Sequence, residues 1–377
     1  MKPVIAVPAI SALVYRAYSR KSLTPLGIVV ATLTAIVHAA HPSAAPFAFL
    51  TVFFLAGTAV TKVKHDVKAT LTVSAVGGTG SSANGTGGEG PRTHVQVLAN
   101  SGVASILVAL HLWRMYKGRS GTEDGACFPY RGEEGLLMVG IVANYAAVAA
   151  DTFSSELGIL SKSAPRLITS LSLRKVPRGT NGGVTFVGLG AGALGAFLIA
   201  LTSLVLLPFC SSESASVSHG EAWTWERKAY WLLGVTIWGT LGSLLDSVLG
   251  GLLQATVVDR RTGKVVEGSG GRKVLVHPWS IASTGLGEIP VRQSSSLHMA
   301  EDVANTLTPR RSRHEYDPLK SQVLPKESST PESRKIASGH DILDNNDINF
   351  LMATLMSVGG MLAASYAWDI SFMEGLF

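Results

Sequence analysis

The sequence predicts an all-α fold: a polytopic integral membrane helix bundle of about 7–8 spans, with a long, partly disordered cytosolic loop. Two observations carry this expectation. Of 377 residues, 46% are hydrophobic and only 15% are charged, with a mean hydropathy of +0.29; a soluble domain usually has about 25% charged residues. The apolar residues are also gathered into long runs nearly free of charge, close to the roughly 20 residues (range about 17–25) that cross a bilayer. The formal net charge of +6 falls in the connecting segments, where Lys and Arg set orientation. No basic stripe with interleaved aromatics occurs, so the expected partner is the lipid bilayer and not nucleic acid. Cys127 and Cys210 suggest neither a disulfide framework nor a zinc site, and the histidines are scattered without ligand spacing.

Taken in order, residues 4–15 form a short apolar run containing Pro8, either a short first span or a signal-like segment. Runs 25–40 and 44–60 are split by His41-Pro42-Ser43, a tight helical hairpin. The polar segment 61–94 opens with Lys62, Lys64, His65, Asp66 and Lys68 and continues through a Gly/Ser-rich linker. Run 95–113 carries Asn100, and a polar 113–134 loop leads to run 135–150 with Asn144; membrane Asn is often interhelical glue. After the polar segment 151–183 comes run 184–208. Its Gly190-x-Gly192-x-x-Gly195 matches the dinucleotide fingerprint only formally, because that motif requires a preceding strand and a soluble βαβ unit. Gly188-x-x-x-Gly192 reads instead as close helix packing in lipid. Run 229–255 holds Asp246, a carboxylate that costs at least about 2.5 kcal/mol unpaired in hydrocarbon. It should therefore face a polar cavity or a partner. These residues form a membrane domain, 1–255. Residues 256–347 read as a cytosolic loop, largely disordered over 280–340 for want of apolar periodicity. Residues 348–377 hold the last span, 350–368, and a tail.

The chemistry concentrates in 151–183. Asp151, Ser154, Ser155 and Glu156 open it, Lys162, Arg166, Arg174, Lys175 and Arg178 follow, and Gly179-Thr180-Asn181-Gly182-Gly183 closes it before the next span. Carboxylates at a span end suit Mg²⁺, a hard cation with oxygen ligands. A glycine turn entering a helix offers backbone N–H groups and a positive helix end to a phosphate. The same residues also read as a solvated loop and an ordinary turn. Residues 343–349 stack Asp344, Asn345, Asn346, Asp347 and Asn349 before the last span, where they read either as a helix cap or as part of the same polar face. If all the runs span, the segments 61–94, 151–183 and 256–347 share the side richer in Lys and Arg, which should be cytosolic. The sequon at Asn84 would then go unused.

The blocks ADTFSSELGILSKSAPRLITS, KVPRGTNGGVTFVGL, GTLGSLLDSVLGGLLQAT and LDNNDINF, with AGTAVTKVKHDVK and THVQVLANSGVAS, cover most spans in order. In these the chain resembles the transmembrane protein 19 family, integral membrane proteins that include the plant phytyl-phosphate kinase of tocopherol synthesis. It departs from the family in the insertion at 77–90, a longer 113–134 loop, a longer 260–340 segment, and Phe153 where the family commonly has Trp. The resemblance implies lipid-phosphate chemistry: a phosphoryl group passes from a nucleoside triphosphate, CTP or ATP, to a prenyl monophosphate. Phosphoryl transfer needs positioning and charge neutralisation more than covalent chemistry. On that reading Asp151, Glu156 and Asp246 hold Mg²⁺, with Asn345 or Asn346 as neutral oxygen ligands. Thr180, Asn181, Gly182 and Gly183 cradle nucleotide phosphates, and Lys162, Arg166 and Lys175 neutralise charge. The expected location is the endoplasmic reticulum or another endomembrane, with the site facing the cytosol. The rival readings are a lipid or small-anion transporter, which should show inverted repeats, and a non-enzymatic membrane scaffold, in which the acids are dispensable.

Overall fold

The computed structural model describes residues 1–75, 90–117, 127–215, 221–274, 276 and 334–376. The described helices are α1 (Pro3–Ser19), α2 (Pro25–Ala40), α3 (Ala45–Lys62), α4 (His65–Leu71), α5 (His94–Lys117), α6 (Leu136–Gly158), α7 (Phe186–Leu206), α8 (Ser212–Ala215), α9 (Trp225–Leu253), α10 (Asn345–Trp368) and α11 (Phe372–Leu376). All eight apolar runs fall on helices. Six of these, α3, α5, α6, α7, α9 and α10, are long and apolar enough to cross a membrane, while α1 and α2 are shorter. The starts of these helices carry local signals. Thr24, Thr185 and Thr224 accept from the backbone three residues on, and Asp344 with Asp347 forms a capping box on α10, each satisfying an orphan N–H.

The bundle is organised around α6. Every residue from Leu136 to Ala150 is buried, and α7, α9, α10, α5 and α3 pack around it. Small residues permit this. A Cβ on Gly195 of α7 would stand 2.5 Å from Ala149 O, and one on Gly239 of α9 would stand 2.7 Å from Ala146 O. Gly188 and Gly192 lie against Ser154 and Ala150, as the small-residue reading expected. Within the bundle, Asn144 donates to Asn100 O (3.2 Å) and faces Ser357 (3.4 Å), which is interhelical bonding. Three histidines of the bundle are bonded as well: His38 meets Tyr145 (2.7 Å) and His41 meets His111 (3.1 Å).

Three expectations are corrected. The polar segment 151–183 does not begin as a loop, because α6 continues to Gly158 and holds Asp151, Ser154, Ser155 and Glu156 on helix. The segment 256–347 is ordered at both described flanks. There β4 (Thr256–Asp259) pairs antiparallel with β6 (Arg334–Ser338). In addition β5 (Val266–Glu267) pairs parallel with β1 (Val73–Ser74), a short pair beside the helical bundle. A further pair, β2 (Arg166–Leu167) and β3 (Gly183–Val184), closes the loop before α7. Residues 277–333 and the sequon at Asn84 lie outside the described residues. Third, Cys127 and Cys210, 83 residues apart, form a disulfide with Cα atoms 5.0 Å apart. A short β-bridge aligns them: Phe128 N donates to Pro208 O (2.7 Å) and Cys210 N to Phe128 O (3.0 Å).

Around the disulfide, Phe128 stacks on Trp223 at 5.4 Å, and Tyr130, Phe209, Trp231 and Trp368 close the cluster. The α6 C-terminus and the α7 and α10 N-termini lie at the opposite end of the bundle.

Candidate functional site

At that opposite end the bundle opens into a polar cavity of about 550 Å³. Its walls come from the C-terminal turns of α6 and α9, the N-terminal turns of α5, α7 and α10, the Gly179–Gly183 turn, and the segment 265–274. Asp151 on α6 and Asp246 on α9 both line it, with their carboxyl groups next to one another. Asn349, one turn into α10, completes the group. With its amide turned to satisfy both neighbours, Nδ2 donates to Asp246 Oδ1 (3.2 Å) and to Asn345 O (3.1 Å). The isolated membrane carboxylate thus faces a polar cavity and a partner, as its cost demanded.

Two neighbouring carboxyl groups in a partly buried site favour a cation between them. Together with Asn345 and Asn349 they form a donor set made only of oxygens and amides. Mg²⁺ is usually held by one or two carboxylates, the rest of its shell being water and substrate phosphate, so this pair suits it. Among the described residues no cluster of three or more His, Cys, Asp or Glu gathers as a complete metal cage.

Glu156, expected as a third metal carboxylate, is engaged elsewhere. It lines the cavity but binds Lys68 Nζ through Oε2 (2.5 Å), while Thr61 Oγ1 lies 2.9 Å from its Oε1. Lys68 donates its other protons to Val60 O (3.1 Å) and Thr61 O (2.8 Å), so a buried ammonium ties α4 to α3 and α6. Asn346 also departs from the expected role. Its Nδ2 donates to Gly270 O (3.0 Å), and its buried Oδ1 lacks a partner beside Gly271. It fixes the start of α10 to the 268–271 turn.

Of the expected phosphate cradle, Thr180, Asn181, Gly182 and Gly183 all line the cavity. Most of their N–H groups are spent inside the fold: Thr180 N to Pro177 O, Asn181 N to Thr256 Oγ1, Gly183 N to Thr180 O. Gly182 takes a positive φ of 78° and rests on α9, where a Cβ would stand 2.8 Å from Gly251 Cα and Ser247 O. Only glycine fits there. The turn is therefore a structural wall first, seating the polar segment on the Asp246 helix.

Lys162, Arg166 and Lys175 do not line the cavity. Arg166 donates to Leu173 O (3.2 Å) and pairs by backbone with Val184 and Lys175. The cations that line it are Arg92, Arg272 and Lys273, which no sequence pattern singled out for the site. Arg92 sits between a glycine-rich segment and α5, a position that reads as linker. Asn349 was readable, one helical turn after Asn345 on the same face.

Residues 8–357 match the family described as "Integral membrane protein DUF92". The chain is 35% identical over 256 residues to Protein PGR of Arabidopsis thaliana, covering 67% of this chain and 78% of that protein. It is 38% identical over 117 residues to an uncharacterized membrane protein, MJ0933, of Methanocaldococcus jannaschii, covering 31% of this chain and 40% of that one. It is 28% identical over 193 residues to Protein VTE6, chloroplastic, of Arabidopsis thaliana, covering 51% and 50%. No solved structure matches it. From the first helix to the last span, the chain belongs to the DUF92 family of integral membrane proteins.

Proposed function

We propose that this protein is a lipid-phosphate kinase, transferring a phosphoryl group from a nucleoside triphosphate, CTP or ATP, to a prenyl monophosphate such as phytyl or geranylgeranyl phosphate. The observation that carries the proposal is the Asp151–Asp246 pair, contributed by two spans and opening onto a cavity of about 550 Å³ at one end of the bundle. Asp151 and Asp246 would hold Mg²⁺ with Asn345 and Asn349 beside them. The cation would neutralise charge on the phosphates during transfer. The remaining work falls to the chain itself. Asn349 fixes the orientation of Asp246 by its 3.2 Å bond. Arg272 places positive charge on the wall where a triphosphate would lie, and Lys273 stands beside it, paired with Asp341 (3.3 Å). The acceptor needs little help from a general base, because a phosphomonoester is already largely ionised near neutral pH.

The disulfide at the opposite end supports a cytosolic cavity, since disulfides persist in oxidising compartments and not in the cytosol. This agrees with the greater Lys and Arg content on the cavity side. On this reading the protein resides in the endoplasmic reticulum or another endomembrane.

The test uses purified protein with Mg²⁺, a prenyl monophosphate and radiolabelled CTP or ATP. The wild type forms labelled prenyl diphosphate, and folded Asp246→Ala or Asp151→Asn loses about 10²–10³-fold, the range for removing one preorganised charge-stabilising group. Absence of turnover with every prenyl phosphate defeats the reading and sends the same preparation into liposomes for anion-flux measurement.

A further inference from the structure

The cavity shares one wall with a second, apolar space. Arg92, Gln96 and Asn100 line both. The second space is a narrow groove of about 80 Å³ between α1 and α2 on one side and α3 and α5 on the other. Away from the shared wall its lining is mainly aliphatic and aromatic, including Val14, Ala31, Ala35 and Phe54. From Pro25 to Ala35, α2 rises about 15 Å, roughly half the hydrocarbon thickness of a bilayer.

Arg92 stands at the junction, and its backbone is held by the α1–α2 linker. Arg92 N donates to Ser22 O (3.0 Å), Thr24 N donates to Arg92 O (3.0 Å), and Leu23 pairs with it in a parallel bridge. Its side chain donates to Thr61 Oγ1 (3.3 Å). Among the described residues no carboxylate lies within ion-pair distance of it. A half-buried guanidinium with no direct carboxylate contact among the described residues, bonded to a Thr61 hydroxyl that also meets Glu156 Oε1 (2.9 Å), lies between a polar cavity and an apolar groove and matches an amphiphilic anion. The planar fork suits phosphate, and the groove suits a hydrocarbon chain.

We infer that this groove holds the chain of a single-chain isoprenoid phosphate, with Arg92 receiving its phosphate at the mouth and presenting it to the Asp151–Asp246 pair. A narrow groove suits one chain better than the two of a diacyl phosphatidate. The assignment explains the presence of α1 and α2, which are shorter than the six spans. They build the groove and anchor its arginine. The phosphate's role as phosphoryl acceptor rests on the kinase reading; the groove as a binding site does not.

The experiment irradiates the full-length protein with geranylgeranyl monophosphate carrying a diazirine at the chain end, without nucleotide, and maps the labelled peptides by mass spectrometry. Label is expected on the groove-facing segments of α1, α2, α3 and α5. It falls about tenfold, equivalent to about 1.4 kcal/mol, in Ala31→Trp, which fills the groove. It falls similarly in Arg92→Gln, which keeps a donor for Thr61 but removes the charge. The corresponding prenol labels wild type and Arg92→Gln alike. Label confined to other helices, or undiminished in folded Ala31→Trp, overturns the inference. If Ala31→Trp does not fold, competition on the wild type decides: unlabelled geranylgeranyl phosphate protects the groove peptides, and equal protection by phosphatidate overturns the inference. Groove labelling without phosphoryl transfer keeps the groove and removes the kinase; transfer with labelling elsewhere does the reverse.

Discussion

At one end of the bundle, Asp151, Asp246 and Asn349 meet in an open polar cavity whose surroundings are tied by a buried ion pair, Lys68–Glu156. At the other, Cys127–Cys210 and a shell of Phe128, Trp223 and Trp368 make a dense aromatic plug with a covalent staple. The cavity end keeps charged groups together in partial burial and leaves space between them. The plug end fills its space and places its charges at the rim, where Arg227 Cζ lies 4.2 Å from the Tyr130 ring centroid. Local openness at the cavity end is tolerated because α6, which crosses between the two ends, is buried continuously from Leu136 to Ala150.

The largest effect that could break this comparison lies in the ion pair. Lys68 and Glu156 side chains are only 9% and 15% exposed. Removing one partner of a buried pair leaves an uncompensated charge and costs about 3–5 kcal/mol. Lys68→Met is therefore expected to lower the thermal midpoint in detergent strongly, and Lys68→Met with Glu156→Gln to recover most of the loss. If both variants melt together near the wild type, the pair does not hold the cavity end.

A smaller effect is expected at the plug. Cys127→Ser with Cys210→Ser should cost about 3 kcal/mol, within the usual 2–5 kcal/mol for a native disulfide, while the proposed phosphoryl transfer, measured below the new melting range, is expected to be retained. With 23 residues of α6 spanning about 35 Å between the ends, this loss should add to that of Lys68→Met within about 0.5 kcal/mol. A larger coupling would mean that the two ends are not independent. In sealed vesicles, a membrane-impermeant maleimide should reach the reduced cysteines only after the membrane is opened, if the cavity faces outward as the cytosol-facing side does in microsomes. Labelling of intact vesicles would reverse the orientation.

The bundle was legible in the sequence because hydropathy alone marks membrane helices: each apolar run became a helix, and six of the eight are long and apolar enough to cross. Asp246 was legible for the same reason: a lone carboxylate in an apolar run has to be explained by its surroundings. The pairings were not. Glu156 meets Lys68 across 88 residues and Cys127 meets Cys210 across 83, and no local pattern encodes such closures. The density of charge in 151–183 misled in the opposite direction. Lys162, Arg166 and Lys175 sit close in sequence to Asp151 but away from the cavity, while Arg92, Arg272 and Lys273 arrive from distant segments to line it. The turn Gly179–Gly183 was placed at the cavity by sequence, yet its N–H groups are largely consumed by Pro177, Thr180 and Thr256. Convergence in space is a property of the packed helices, and spacing along the chain does not report it.

The smallest effects test the hub that holds the two ends apart. Gly195 and Gly190 share α7, but their surroundings differ. A Cβ on Gly195 would press on Ala149 O at 2.5 Å, Ala149 C at 2.9 Å and the Phe153 ring at 3.0 Å, whereas Gly190 has nothing within 4 Å. The first three atoms belong to α6 on either side of Asp151, so α7 must move outward to make room. Overpacking of this kind costs about 1–3 kcal/mol. Gly195→Ala should therefore destabilise by about 2 kcal/mol and also reduce phosphoryl transfer, since displacing α7 displaces the Asp151 turn beneath it. Gly190→Ala meets no atom and gains helix propensity, up to about 1 kcal/mol relative to glycine, so it should leave activity unchanged and raise the thermal midpoint slightly. Equal behaviour of the two variants would mean that the close α6–α7 approach does not set the cavity geometry. The spacing of the carboxylate pair would then have to be fixed from the α9 side, where Gly239 and Gly242 make the corresponding contacts with Ala146 and Ala147.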